Sequence, residues 1–135
     1  MKEETKQLVK EWLRKADRNL IAAKHELMQE GLITEDVCFN CQQAAEKYLK
    51  AFLVARQIYF NKIHDIKEIL ALCIKEEPAF ETLSYEEIEE LTDYAVDVRY
   101  PGLILEPTRE ESEEAVRSAE VTKEFVYEAL KKTIG

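Results

Sequence analysis

Residues 38–70 constrain the fold most strongly, because they join the most apolar helical segment of the chain to a short polar turn. Apolar side chains recur there at steps of three or four residues, which places them on one face of a helix. The main stripe consists of Val37, Cys41, Ala44, Tyr48, Phe52 and Ala55, and a second stripe consists of Phe39, Ala45, Leu49 and Leu53. A helix that is apolar over more than half its circumference needs neighbours on several sides. We therefore predict that this helix is the central one of the fold.

The polar residues of this helix form a narrow seam. Its members are Gln42, Gln43, Glu46, Lys47 and Lys50. We expect this seam, together with the turn from Arg56 to His64 that follows it, to be the functional surface. Glu46 and Lys50 have the spacing of an ordinary ion pair within a helix, which needs no ligand to explain it. The two glutamines need hydrogen-bond partners if they are buried, and a second copy of the chain or a ligand could supply them.

Hydrophobic period and capping signals predict the other helices. The first spans about residues 3–29 and is ended by Gly31, and the central helix spans residues 34–57 with Thr34 as its cap. A third begins near Asp65 and ends before Pro78, a fourth spans about residues 85–98 after a capping box at Ser84, and a last spans about residues 108–132 after a capping box at Thr108. The chain is therefore predicted to be all-α, an up-and-down antiparallel bundle of four to five helices in one domain, residues 1–135.

Charge limits the classes of partner. The chain has 19 basic and 28 acidic residues, a net charge of −9, which opposes non-specific binding to nucleic acid. The basic residues are relatively concentrated between residues 38 and 67, so any contact with nucleic acid is expected to be local. No apolar run reaches the ~18 to 20 residues that span a bilayer, so we expect a cytoplasmic protein with no membrane contact.

Cys38 and Cys41 form a CxxC pair, which is a pattern of zinc sites and of redox centres. A zinc site usually needs four ligands, and the chain has neither a second CxxC pair nor a histidine close in sequence. We therefore expect buried thiols, no metal site and no cofactor.

Three segments together resemble the HEPN domain family. They are QQAAEKYLKAFLVARQI at residues 42–58, HDIKEIL at residues 64–70 and VRYPG at residues 98–102. The resemblance implies an all-α bundle that forms a homodimer, from a family often found beside small nucleotidyltransferases in prokaryotic toxin–antitoxin pairs. Some members are metal-independent RNases, in which His moves the proton of the 2′-hydroxyl and Arg stabilises charge on the phosphate.

The resemblance also suggests the site residues. Arg56 and His64 match the catalytic pair, although seven residues separate them, one more than the family's usual limit, and no histidine follows Arg99. The candidate binding residues are Gln42, Gln43, Lys47, Lys50, Asp65, Arg99 and Tyr100. Structural alternatives remain open: Arg56 could pair with Asp65 or an acidic helix, and His64 could simply begin the third helix.

Three hypotheses of function follow. The first is a homodimeric binding component that meets a nucleotide, RNA or a protein partner, a minimal nucleotidyltransferase among them. The second is a metal-independent ribonuclease, and the third is a structural module whose dimer interface is its whole function.

Overall fold

The computed structural model describes residues 1–60, 62, 65–83 and 106–134. Within these residues there are four α-helices and one 3₁₀ helix, and no strand. They are α1 (Glu3–Leu27), α2 (Thr34–Ala55), α3 (Ile66–Glu76), the 3₁₀ helix (Pro78–Leu83) and α4 (Arg109–Ile134). The prediction of an all-α helical bundle is confirmed. The helix predicted for residues 85–98 and its capping box at Ser84 lie outside the described residues.

The helix ends follow local capping chemistry, with two corrections. Asp65 caps α3 as predicted by accepting a hydrogen bond from the N–H of Lys67 at 2.9 Å. Thr108 is likewise confirmed, because its hydroxyl accepts from the N–H of Glu111 at 3.0 Å while the Glu111 carboxylate accepts from the N–H of Thr108 at 2.9 Å. Thr34, however, is the first residue of α2 and not its cap, which is Ile33 without a side-chain cap bond.

The turn between α1 and α2 gives the second correction. α1 ends at Leu27, and its cap residue is Met28. Gly31 has φ = +67°, so it provides the left-handed backbone of the connection and does not end the helix. The N–H of Ile33 then donates to the carboxylate of Glu26 at 3.0 Å, which ties the start of α2 to the end of α1.

α2 is the central helix, as predicted, and it packs against α1, α3 and α4. Apart from Phe39, the residues of both predicted stripes are buried, with Tyr48, Phe52 and Leu53 fully inaccessible. The prediction was wrong for Phe39, which is 37% exposed, because α4 covers the neighbouring Cys38 side, where the Cys38 sulfur lies 3.9 Å from the Ser112 hydroxyl.

The side-chain contacts give the direction of the helices. α1 runs antiparallel to α2, since Trp12 lies beside Lys50 while Asn19 is hydrogen-bonded to Asn40 at 2.9 Å. α4 runs parallel to α2, because their first residues meet at Cys38 and Ser112 and their last residues at Arg56 and Thr133.

An aromatic chain joins three of the elements. The centre of the Phe80 ring, in the 3₁₀ helix, lies 4.5 Å from the centre of the Phe52 ring on α2. It lies 4.7 Å from the centre of the Phe125 ring on α4. Tilted pairs at this separation add stabilisation of about 0.5–1.5 kcal/mol each beyond their apolar burial.

Across the described residues, no helix is long and apolar enough to cross a membrane.

Asp17 joins α1, α2 and α4 through one carboxylate. It accepts hydrogen bonds from the hydroxyls of Tyr48 and Tyr127, the latter at 3.1 Å, and its Oδ1 lies 3.3 Å from the Lys123 ammonium. Burial, reinforced by the negative charge of Asp17, raises the pKa of Tyr48 and raises that of Tyr127 to about 12. Both phenols therefore stay protonated in the folded protein at pH values where an unfolded tyrosine, with a pKa of about 10, ionises.

This arrangement predicts a loss of stability in alkali. A pKa that is raised in the folded state contributes stability that is complete below about pH 10 and disappears as the pH rises through the folded value. In the double variant Tyr48→Phe/Tyr127→Phe, the free energy of unfolding, measured in urea, should fall less between about pH 9 and pH 11 than in the wild type. Tyr59→Phe is the control, because Tyr59 is 81% exposed. An alkaline loss of equal size in the double variant would contradict the assignment.

Candidate functional site at the end of α2

α2 ends in a tight hydrogen-bonded turn that fixes the backbone on both sides of Arg56. The N–H of Ile58 donates to the carbonyl of Leu53 at 2.9 Å, and that of Gln57 donates to the carbonyl of Val54 at 3.0 Å. This is the Schellman arrangement, in which the residue after the cap takes left-handed geometry. Gln57 does so with φ = 58°, a position usually held by glycine.

Arg56 is held by three elements at once. Its Nε donates to the Thr133 hydroxyl on α4 at 3.1 Å, and its guanidinium carbon lies 5.1 Å from the centre of the Phe52 ring. Its Nη1 lies 4.0 Å from a carboxylate oxygen of Glu76, and its Nη2 lies 3.7 Å from one of Glu77. The pairing with an acidic helix was one of the two structural alternatives, and the acidic helix is α3. The other alternative, Asp65, uses its carboxylate as the cap of α3.

These distances leave the terminal nitrogens of Arg56 beyond hydrogen-bond length from the two glutamates. The side chain is also 28% exposed, so the guanidinium is oriented by Thr133 and Phe52 while remaining open to solvent. A planar donor held in this way can bind a carboxylate or a phosphate with little further loss of side-chain freedom.

His64, Arg99 and Tyr100 lie outside the described residues. Their convergence with Arg56 on one cleft, and the role of each in binding or catalysis, therefore stay predictions.

The polar seam of α2 is not a surface, and here the structure corrects the sequence analysis. Gln42, Glu46 and Lys50, which follow one another at steps of four residues, are 5%, 3% and 4% exposed. Gln43 and Lys47 are half-buried beside them. The reason is that α1 packs along this side of α2, so the seam is a polar layer between two helices. As ligand contacts, these residues stay predictions.

Lys50 is one of two buried charges in the seam, the other being Glu46. Its ammonium lies 3.8 Å from a carboxylate oxygen of Glu46, the predicted pair. It also lies 5.5 Å from the centre of the Trp12 ring and 5.6 Å from that of Phe60, and these two rings meet edge to face at 6.0 Å. Cation–π contacts of this kind are strongest where water is excluded. Lys50 thereby links α1, α2 and the turn that carries Arg56.

The other seam residues find partners within the chain. Gln43 donates to the side-chain oxygen of Gln42 at 2.8 Å, and Lys47 donates to Asn19 at 2.6 Å. Burial lowers the pKa of Lys47, and the nearby Glu46 opposes this shift. A second copy or a ligand was one possible source of partners for the glutamines, and the bond between them needs neither.

An open cavity of about 420 Å³ adjoins the turn, and the sequence analysis missed it. Val54, Ile58 and Phe60 line it together with Leu8 and Tyr59, which are 56% and 81% exposed. Leu8 is an apolar residue of α1, yet it faces this cavity and not the core. The apolar run Ile58, Tyr59 and Phe60 was the available signal, because large apolar side chains that follow a helix end often form an exposed apolar patch.

The cysteines are buried thiols, as expected. Cys38, Cys41 and Cys73 are all inaccessible, and burial raises the pKa of Cys41 and of Cys73. Among residues 1–60, 65–83 and 106–134, no group of three or more His, Cys, Asp or Glu side chains is placed to hold a metal ion.

Comparison with known proteins agrees with this geometry. The sequence profile of the HEPN domain matches residues 9–131, which include most of α1 and α4 and all that lies between them. The chain belongs to the HEPN family. The crystal structure of an archaeal HEPN homologue superposes with a TM-score of 0.65 and 25% identity, covering 90% of this chain and 96% of the homologue. A search of curated proteins gave no significant match.

The turn of this HEPN domain predicts a stabilising substitution. Gln57→Gly should raise the free energy of unfolding by roughly 0.5–1 kcal/mol, because glycine adopts left-handed geometry without the steric penalty of a Cβ. Gln57→Ala is the matched control and should not stabilise, since alanine keeps that penalty. Urea titration followed by circular dichroism measures both variants. An equal effect of glycine and alanine would show that the backbone of Gln57 is not strained.

Proposed function

We propose that this HEPN domain is a homodimeric binding protein whose Arg56 turn meets the phosphate of a nucleotide or an RNA. It works as the non-catalytic component of a two-component system, with a minimal nucleotidyltransferase as its protein partner. Membership of the HEPN family supports a nucleic-acid-related function. The nucleotidyltransferase, the dimer and the particular ligand are part of the proposal.

The environment of Arg56 is the observation that carries the proposal. The guanidinium is oriented by Thr133 and Phe52 and is part-exposed, which suits the recognition of an anion. Two carboxylates, Glu76 and Glu77, lie within 4.0 Å of it. Their negative charge partly offsets that of the guanidinium, so a bound phosphate has to compete with them for Arg56. Binding is preferred over RNA cleavage because seven residues separate Arg56 from His64, one more than the family's usual limit.

Fluorescence anisotropy with a labelled single-stranded RNA, and calorimetry with ATP, test this proposal on the full chain. Arg56→Gln should lower the affinity for the ligand by about tenfold or more. This is the effect of losing a charge-assisted hydrogen bond of roughly 1.5–3 kcal/mol. Arg117→Gln is the matched control. Arg117 carries the same charge on an exposed face of α4, and that variant should bind within about twofold of the wild type.

Three results would contradict the proposal. The first is equal affinity of the Arg56→Gln and wild-type proteins for both probes, with thermal unfolding showing that the variant is folded. The second is a monomer by light scattering at micromolar concentration. The third is metal-independent RNA cleavage that His64→Ala abolishes, which would establish the ribonuclease instead.

A further inference from the structure

A groove of about 600 Å³ lies between the first half of α1 and the last turns of α4. Its apolar lining is formed by Val9 and Leu130, which are buried, and by Leu13, which is partly buried. Clefts of about 300–1,000 Å³ with a mostly apolar lining are the usual size of small-molecule sites. The groove is separate from the Arg56 turn, because Arg56 contacts α4 through Thr133, on the side of α4 that faces α2.

Among the residues that the structure describes, three lysines edge this groove and no Asp or Glu lines it. Lys6 and Lys10 are four residues apart on α1 and therefore share a face. Neither makes an ion pair with any residue that the structure describes. Lys131, on the α4 side, contacts Glu128 at 3.1 Å, but both side chains are about 70% exposed, so the pair is weak and screened. The groove is thus locally basic in a chain whose net charge is −9.

Tyr127 forms a wall of the groove and is held in place before any ligand arrives. Its hydroxyl donates to Asp17 at 3.1 Å, and the ammonium of Lys123 lies 5.5 Å from the centre of its ring. Because the hydroxyl is engaged with Asp17, the tyrosine contributes chiefly aromatic carbon to the groove. A wall fixed in this way reduces the ordering cost of binding.

We propose that this groove binds a small amphiphilic anion of the fatty-acid type. The apolar body would lie on Val9, Leu13 and Leu130, where removing apolar surface from water drives binding at roughly 25 cal/mol per Å². The anionic head would lie among the lysines, whose charge selects its sign. A cationic amphiphile lacks that attraction, and a purely ionic ligand makes no use of the apolar lining. This inference is independent of the function proposed for the Arg56 turn.

Titration of the full chain with decanoate, below its aggregation threshold, tests the inference by calorimetry and by amide chemical shifts. Decanoate should bind at one site, its shift changes should be concentrated on residues 6–13 and 127–131, and its affinity should fall as salt is added. Decyltrimethylammonium has the same apolar body with the opposite charge, and it should bind at least about tenfold more weakly.

Two variants separate the charge from the apolar surface. Lys6→Gln/Lys10→Gln should weaken decanoate binding by roughly fivefold or more, because it removes two of the three lysine charges at the edge of the groove. Lys15→Gln/Lys75→Gln is the matched control, because it removes two exposed charges that do not line the groove. Leu13→Trp fills the groove without changing charge and should abolish binding. Should that variant fail to fold, the lysine variants and the shift map still decide the question.

Several results would overturn the inference. They are no binding of decanoate at millimolar concentration, equal affinity for the two amphiphiles, equal losses in the groove and control double variants, or shift changes located elsewhere. If the groove amides shift on dilution of the protein and not on addition of decanoate, a second copy of the chain occupies the groove, and the inference is likewise wrong.

Discussion

The burial of α2 is the constraint on which the rest of the structure depends. Fourteen of its 22 residues are buried, and they include polar as well as apolar side chains. A buried polar group that finds no partner costs about 1–3 kcal/mol, so the surrounding helices must supply partners. On α1, Asn19 accepts a hydrogen bond from the half-buried Lys47, and the ring of Trp12 lies against the ammonium of the buried Lys50. The position of α1 is therefore fixed by polar contacts as well as by apolar packing.

The same constraint places the candidate site. Because other helices surround α2, the residue that caps its end, Arg56, lies between α3 and α4. It contacts Glu76 on α3 and Thr133 on α4. Phe60, in the turn that follows, lies against Trp12 and near Lys50, so the turn is attached to the core on its other side. The site thus consists of an oriented guanidinium on a backbone that is fixed by hydrogen bonds, which suits binding to an anion.

Much of the fold could be predicted because its signals are local. The apolar stripes of α2, the cap at Asp65 and the capping box at Thr108 each depend on residues within a few positions of one another, and the HEPN motifs combine such signals. What could not be predicted depends on residues distant in the chain. Helical period shows which side chains share a face, but it does not show which faces a neighbour covers. For this reason the polar seam was taken for a surface.

Prediction of the candidate site from the sequence has the same limit. The acidic partners of Arg56 are 20 and 21 residues further along the chain, and its hydroxyl partner is 77 residues away. The groove between α1 and α4 is lined by both Lys10 and Lys131. These residues are too far apart in the chain for any local sequence pattern to place them together. Local motifs made Arg56 a candidate site residue, but only the packing of α3 and α4 shows which side chains surround it.

Amine acylation followed by mass spectrometry tests whether the polar seam of α2 is internal. Lys50 should react at least about tenfold more slowly than the exposed Lys75, because its ammonium is reached only when the bundle opens. Equal rates of acylation at Lys50 and Lys75 in the folded protein would contradict the account.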